Sequence, residues 1–232
     1  AQIARCANFT KTTTHRVLAS LRDVNFVVQE PKSRGYRLGP ALAQLAMAGT
    51  QQEVSAHAQP ILHRLAGLCD DTVFVSIPQG NGARCVGRKV GSFPIRTLTL
   101  ARGDRRPLGV GAGSLALYCV MPEAVRRAVC RQNAEWMAEY GDFNWQTLEA
   151  HRREFLDTGY ALNRGGIVPG MSAIAVPVAP GKTGAAASLT IAAINERMTS
   201  SRIDNELAPL LKREAERLAR SLAGLPWGDR DG

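Results

Sequence analysis

Two short stretches carry side chains whose types and spacing could do chemistry. The first is TKTTTHRVLASL, Thr10 to Leu21, which places Lys11, Thr12, Thr13, Thr14, His15 and Arg16 ahead of the apolar Val17, Leu18 and Leu21. Threonine is a mediocre helix former, so clustering it in one leading turn costs stability unless that turn serves another purpose. Hydroxyls there can bond phosphate oxygens, and threonine methyls can touch thymine methyls. A helix N-terminus attracts phosphate, and Lys11, His15 and Arg16 add charge. This chemistry suits a helix that enters the major groove leading end first. The second stretch is GVGAGS, Gly109 to Ser114, with Arg102, Arg105 and Arg106 just upstream. Bare backbone N–H groups ahead of a helix suit a small anion.

Other patterns fail on spacing. A dinucleotide loop needs GxGxxG directly after a strand, and Arg105-Arg106-Pro107 reads as a poor strand end. The PGKT at Pro180 to Thr183 resembles the tail of a P-loop, but the required first glycine falls at Val176. There is no GxSxG elbow, and His57 and His63 stand six apart rather than as an HExxH pair. Cys85 or Cys119 could act as a nucleophile only beside a base that the sequence does not show. The five cysteines, Cys6, Cys69, Cys85, Cys119 and Cys130, are odd in number and contain no CxxC, so neither a disulfide framework nor a zinc ribbon is expected. No metal or cofactor is expected.

The chain has 232 residues, 45% of them apolar, enough for one large domain or two small ones. Its net charge of +9 argues for a polyanionic partner or anionic ligands. The excess is concentrated. Residues 1–38 hold seven Lys and Arg against Asp23 and Glu30. Of the long uncharged runs, Leu108–Met121 is too short to span a bilayer and Gly165–Gly181 is broken by prolines. No signal peptide is visible, and a soluble cytoplasmic protein is expected.

The elements that must position these residues follow from periodicity. A short helix over residues 1–7 precedes a helix that Thr10 can cap. Strand-like Phe26 to Val28 and Tyr36 to Leu38 flank the turn at Pro31 to Gly35, giving a helix–turn–helix with a ribbon. Beyond a boundary near Gly39-Pro40, helices are expected over 40–49, 53–69, 113–121, 123–133 and 145–158. Strands are expected over 72–77, 83–90, 94–100, 160–163, 173–179 and 185–194. Pro180 to Gly184 should turn between the last two. Ser201 can cap a final helix striped by Ile203, Leu207, Leu210, Leu211, Leu218 and Leu222, and residues 225–232 read as a tail.

The run IARCANFTKTTTHRVLASLRDVNFVVQEPKSRGYRLGPAL resembles the winged helix-turn-helix of the IclR family of bacterial transcriptional regulators. That family shows Lys-Ser-Thr-X-His-Arg where this chain has Lys11 to Arg16, and an aromatic-Arg-Leu-Gly where it has Tyr36 to Gly39. The likeness resumes at Arg106-Pro107-Leu108, Gly159-Tyr160-Ala161 and Ser172 to Val178. The family usually has one more helix before the point where this chain begins, so residues 1–232 are expected to lack it.

The resemblance implies an α+β protein. A winged helix-turn-helix over 1–39 would be followed by a joining and dimerising helix over 40–53. A GAF-like domain over 54–224 would carry a curved antiparallel sheet flanked by helices. It implies double-stranded DNA with a two-fold operator as partner, read by Lys11 to Arg16 and by a wing of Lys32, Ser33, Arg34 and Arg37. It implies a homodimer or tetramer and a small organic effector, a carboxylic or aromatic acid. Leu98, Arg106, Gly111, Ala112, Gly113, Asn163, Met171, Ala173, Thr190 and Ala192 would form the effector pocket. The chain departs from the family at Gly109, often His, at Leu115, often Lys, and at 163–166, often acidic. Arg164 in that last stretch either meets a carboxylate ligand or faces solvent. The rival readings are an enzyme on the α/β domain with the basic segment as an accessory, and a structural interaction module with no ligand.

Overall fold

The computed structural model describes residues 2–180 and 185–223. The expected turn at Gly181 to Gly184 and the tail from 225 lie outside the described residues, as do the side chains of Ala43, Gln44, Ala46 and Met47. The chain divides into two compact units, Ala1–Gln51 and Gln52–Gly232.

The smaller unit follows its sequence signals. Helix α1 spans Gln2–Cys6 and α2 spans Lys11–Asp23. Thr10 caps α2 by accepting from the Thr13 N–H, and the Thr10 and Thr13 hydroxyls bond each other at 2.8 Å. Strands β1 (Val27–Gln29) and β2 (Tyr36–Leu38) pair antiparallel, with Val28 opposite Arg37. Of the apolar Val17, Leu18 and Leu21, Val17 is exposed and Leu18 is buried.

Helix α3 runs unbroken over Pro40–Cys69, where two helices were expected. The Gly49 to Gln52 stretch looked like a break. A lone exposed glycine costs a helix only about 1 kcal/mol, too little to divide thirty residues.

In the larger unit, six strands form one antiparallel sheet. They are β3 (Thr72–Gln79), β4 (Gly82–Lys89), β5 (Arg105–Pro107), β6 (Ala161–Arg164), β7 (Met171–Val178) and β8 (Ala187–Ile194). Their order is β5-β4-β3-β8-β7-β6. Between β5 and β6 lie α4 (Ala112–Cys119), α5 (Glu123–Gln132), α6 (Ala134–Ala138) and α7 (Trp145–Thr158). Asn144 caps α7 in a reciprocal box with Thr147, and Gly159 ends it at φ +74°. After β8 come α8 (Ser200–Arg202), a π turn over Ile203–Leu207 and α9 (Ala208–Leu222). The cap of this run is Thr199, not Ser201.

A second correction concerns the sheet edge. Residues 94–100 form bends rather than a strand, and Arg105–Pro107 is the edge strand, paired with Gly82–Arg84. An edge strand bonds on one side only, so Pro107, lacking an N–H, is tolerated at its end.

Alternation gives the sheet two unlike faces. Val73, Val75, Ile77, Ile174, Val176, Val178, Leu189 and Ile191 join one buried cluster with residues of α3 and α9. The stripe expected on the last helix is buried in that cluster throughout. The alternate residues, Phe74, Ser76, Ala173, Ala175, Ser188, Thr190 and Ala192, are mostly small. They face α4 and the segment over 94–104.

Candidate functional site

The leading turn of α2 keeps most of its polar groups outward. Lys11, Thr12, Thr13, His15 and Arg16 are exposed. Thr14 is the exception and a correction. It is buried and returns its hydroxyl to the Thr10 carbonyl at 2.9 Å, so it is part of the helix rather than of the exposed surface. Lys32, Ser33, Arg34 and Arg37 are exposed on the ribbon. Its tip is held by Ser33 donating to Glu30 at 2.9 Å and by the Arg34 N–H bonding the Glu30 carbonyl.

In the larger unit two cavities adjoin, of about 50 and 40 Å³. Arg106, Gly111, Ala112, Ala173 and Ala192 line both. Gly113 and Thr190 line the first, and Asn163 and Met171 the second. Nine of the ten expected positions therefore meet in one place. Leu98 does not, because its segment is no strand and its side chain points away, 56% exposed. The sequence reading missed Thr97, Thr99 and Leu100 on that segment, and Phe74 and Ser76 on β3. The signal for the last two was the alternation of β3, whose even positions share the face of Thr190 and Ala192.

Arg106 dominates the site. It is the single charged side chain among the described residues lining either cavity. Its guanidinium donates to the Thr99 carbonyl at 3.0 Å and lies 5.9 Å from the Tyr140 ring centroid. No carboxylate pairs with it among the described residues, and burial pulls its pKa below the ordinary value. Arg126, by contrast, holds Glu149 through two bonds of 2.9 and 3.1 Å.

Beside Arg106, helix α4 begins without a side-chain cap. Its leading N–H groups are thus unclaimed by a capping side chain. Gly111 precedes it at φ +82°, and a Cβ there would stand 3.0 Å from Arg106 Nη1. A cation and bare amide donors at one cavity wall are chemically suited to a small carboxylate.

The remaining arginines go elsewhere. Arg105 packs over Trp136, and Arg164 is exposed and donates to Ser200. The solvent-facing alternative thus describes Arg164. Cys119 is buried, and burial pushes its thiol up to about 12. Cys85 is pushed up to about 11 by the same cause, and its thiol donates to the Gly87 carbonyl. Among the described residues neither thiol meets an imidazole. GVGAGS does follow a strand, the antiparallel edge strand β5, which provides no βαβ crossover of the dinucleotide kind.

The model of the bacterial transcriptional regulator IclR C-terminal domain matches residues 46–220. The chain belongs to the IclR family of transcriptional regulators. It is 26% identical over 205 residues to the probable transcriptional regulator SauR of Cupriavidus necator, covering 88% of this chain and 81% of that one. It is 25% identical over 193 residues to the HTH-type transcriptional repressor AllR of Escherichia coli, covering 82% and 71%. Among solved structures, an IclR regulator from Alicyclobacillus acidocaldarius matches with a TM-score of 0.65 at 25% identity, over 96% of this chain and 89% of that one. The Thermotoga maritima IclR structure matches in fold, TM-score 0.66 at 18% identity, over 96% and 90%. Among the described residues no helix is long and apolar enough to cross a membrane.

Proposed function

We propose that this IclR-family chain is a cytoplasmic, sequence-specific DNA-binding regulator, not an enzyme, whose operator affinity is set by a small carboxylate effector. In this reading the outward residues of α2 read the major groove. Lys32, Ser33, Arg34 and Arg37 form the wing, and the first part of α3, within the 40–53 segment, pairs two subunits. A homodimer, or a tetramer built from two, presents paired reading helices to a two-fold operator. The effector binds at Arg106 and the start of α4, and it acts by preferring one arrangement of the subunits, typically by ~1–3 kcal/mol.

The observation that carries the reading is the leading turn of α2 in a chain of this family. It is capped from within by Thr10, yet Lys11, Thr12, His15 and Arg16 stay exposed. The test uses a duplex selected from a random library by the wild-type chain. Arg16→Ala should weaken binding to it in a gel-shift assay at fixed salt, and unchanged affinity would overturn the helix assignment. A dimer that neutralises ~8–10 phosphates should show a log–log salt slope of about −7 to −9.

A further inference from the structure

Away from the Arg106 cavities, α5 and the start of α7 border an open groove of about 370 Å³, lined by Arg127, Cys130, Arg131 and Trp145. None of these four lines either Arg106 cavity. Arg127 and Arg131 stand one turn apart on α5, and Trp145 is the first residue of α7. The reciprocal cap between Asn144 and Thr147 fixes the start of α7, and with it the place of Trp145.

Each wall has a definite chemistry. The Arg127 guanidinium lies over the Trp145 ring, 4.2 Å from its centroid. Trp145 is half-buried, and its indole N–H donates to no group among the described residues. Cys130 is packed against the core beneath α5, and burial raises its thiol pKa, so it presents a neutral sulfur. Trp136, the other described tryptophan, is used up within the fold. A Cβ at Gly82 would meet its ring at 3.0 Å, and Arg105 lies over it.

The charges around Trp145 do not cancel. Arg126, 5.9 Å from the ring centroid, is held by Glu149, and Arg127 is held by Glu123 at 2.8 Å. Arg131 is exposed and has no side-chain hydrogen bond or ion pair among the described residues. One positive charge is left over at the edge of a mostly apolar space that already contains an open aromatic ring.

We infer that this groove is a second ligand site, separate from the one at Arg106, and that it takes a planar aromatic monocarboxylate of about two fused rings. The ligand's ring stacks on Trp145, Arg127 closes over its outer face, and the carboxylate meets Arg131. Arg127 can swing to admit it, because its pair with Glu123 is exposed on both sides, 55% and 61%, and such pairs hold weakly. Size sets the ring count. An apolar cavity that takes benzene measures about 150 Å³, and the groove has room for a second ring. Charge sets the single carboxylate, since one unpaired arginine balances one anion. A nucleotide would bring further charge, and its ribose hydroxyls would face apolar walls where the indole N–H is the one free neutral donor among the lining side chains.

The experiment is calorimetric titration of the full chain with 2-naphthoate, 2-naphthamide and cyclohexanecarboxylate. 2-Naphthoate should bind about fivefold or more tighter than either of the others. In Arg131→Gln its preference over the amide should fall toward one. In Trp145→Leu its preference over the non-aromatic acid should fall toward one. Arg131→Gln changes an exposed side chain that bonds nothing among the described residues, so the test stands even if Trp145→Leu fails to fold. No binding of 2-naphthoate at millimolar concentration overturns the inference. So does binding that Arg131→Gln leaves unchanged, which would place the acid elsewhere, the Arg106 cavities included. Equal affinity for 2-naphthoate and cyclohexanecarboxylate also overturns it, since the open ring would then do nothing for the ligand.

Discussion

The two faces of the six-stranded sheet come from the same strands and are built to opposite ends. One face is mostly branched aliphatic and is closed by α3 and α9. The other sets alanine, serine and threonine against α4, and leaves two small spaces and three hydroxyls that find no partner among the described residues. A strand that alternates Val73-Phe74-Val75-Ser76-Ile77 presents a sealed side and an unfinished side. The arginines repeat the contrast: Arg126 has its carboxylate within the fold, and Arg106 has none among the described residues. On the proposed reading, stability rests on one face and recognition on the other, where a ligand would complete the unsatisfied groups.

Breaking the sealed face should have the largest effect. Ile191 is fully buried in the aliphatic cluster. Ile191→Ala should destabilise by about 3–4 kcal/mol, through lost transfer energy and a cavity that neighbouring strands cannot close. In this unit that lowers the thermal midpoint on the order of 10 °C, read by circular dichroism. A shift under a few degrees would mean that the face is loosely packed. Next comes the arginine that has its partner. Glu149→Ala leaves the Arg126 guanidinium, 4% exposed, without a counter-charge. A loss of about 3 kcal/mol is expected in denaturant melts, because the penalty is an uncompensated buried charge.

Much of this contrast was legible in the residues. The α2 cap, the Asn144 to Gly159 helix and the last helical stripe all follow from local chemistry, and local chemistry is what a sequence displays. The pocket positions came from likeness to a family rather than from periodicity, yet nine of ten lie together. What escaped was decided by tertiary context. Gly49 could not break α3 because a single glycine costs too little. The edge of the sheet went to Arg105–Pro107, since β4 offered its outer hydrogen-bonding groups there and 94–100 passes over the cavities instead. Thr14 looked like its neighbours in sequence, but at i+4 from Thr10 its hydroxyl found the Thr10 carbonyl. The hydroxyl cluster was hidden because Ser76 lies more than a hundred residues from Ser188 and Thr190 and meets them only through the β3–β8 register.

Substitutions on the open face should cost less and act on binding more. Gly113→Ala adds a methyl 2.6 Å from Thr190 Oγ1, so α4 must lift or Thr190 must turn. Overpacking of this kind costs about 1–3 kcal/mol. If Gly113 serves the closeness of α4 to the hydroxyls, a Gly113→Ala/Thr190→Ser variant, which removes a methyl but keeps the oxygen, should recover less stability than Gly113→Ala/Thr190→Ala. Equal recovery would show that bulk alone matters there.

The smallest stability change is expected where the functional loss is greatest. Arg106→Met removes a donor to the Thr99 carbonyl and a cation beside Tyr140, interactions worth about 1 kcal/mol each. It also removes a half-buried charge that the fold leaves unpaired, and the desolvation saved is of similar size. The two effects oppose, so the unliganded variant should melt within about 1 kcal/mol of wild type while carboxylate binding is lost. Glu149→Ala and Arg106→Met each leave one side of an arginine–carboxylate pair unmet, in opposite senses. In the first, the missing partner belongs to the protein, and the melt reports it. In the second, the proposed partner comes from solution, and only a titration would report it. A large destabilisation by Arg106→Met would instead make Arg106 a structural group and remove the contrast between the two arginines.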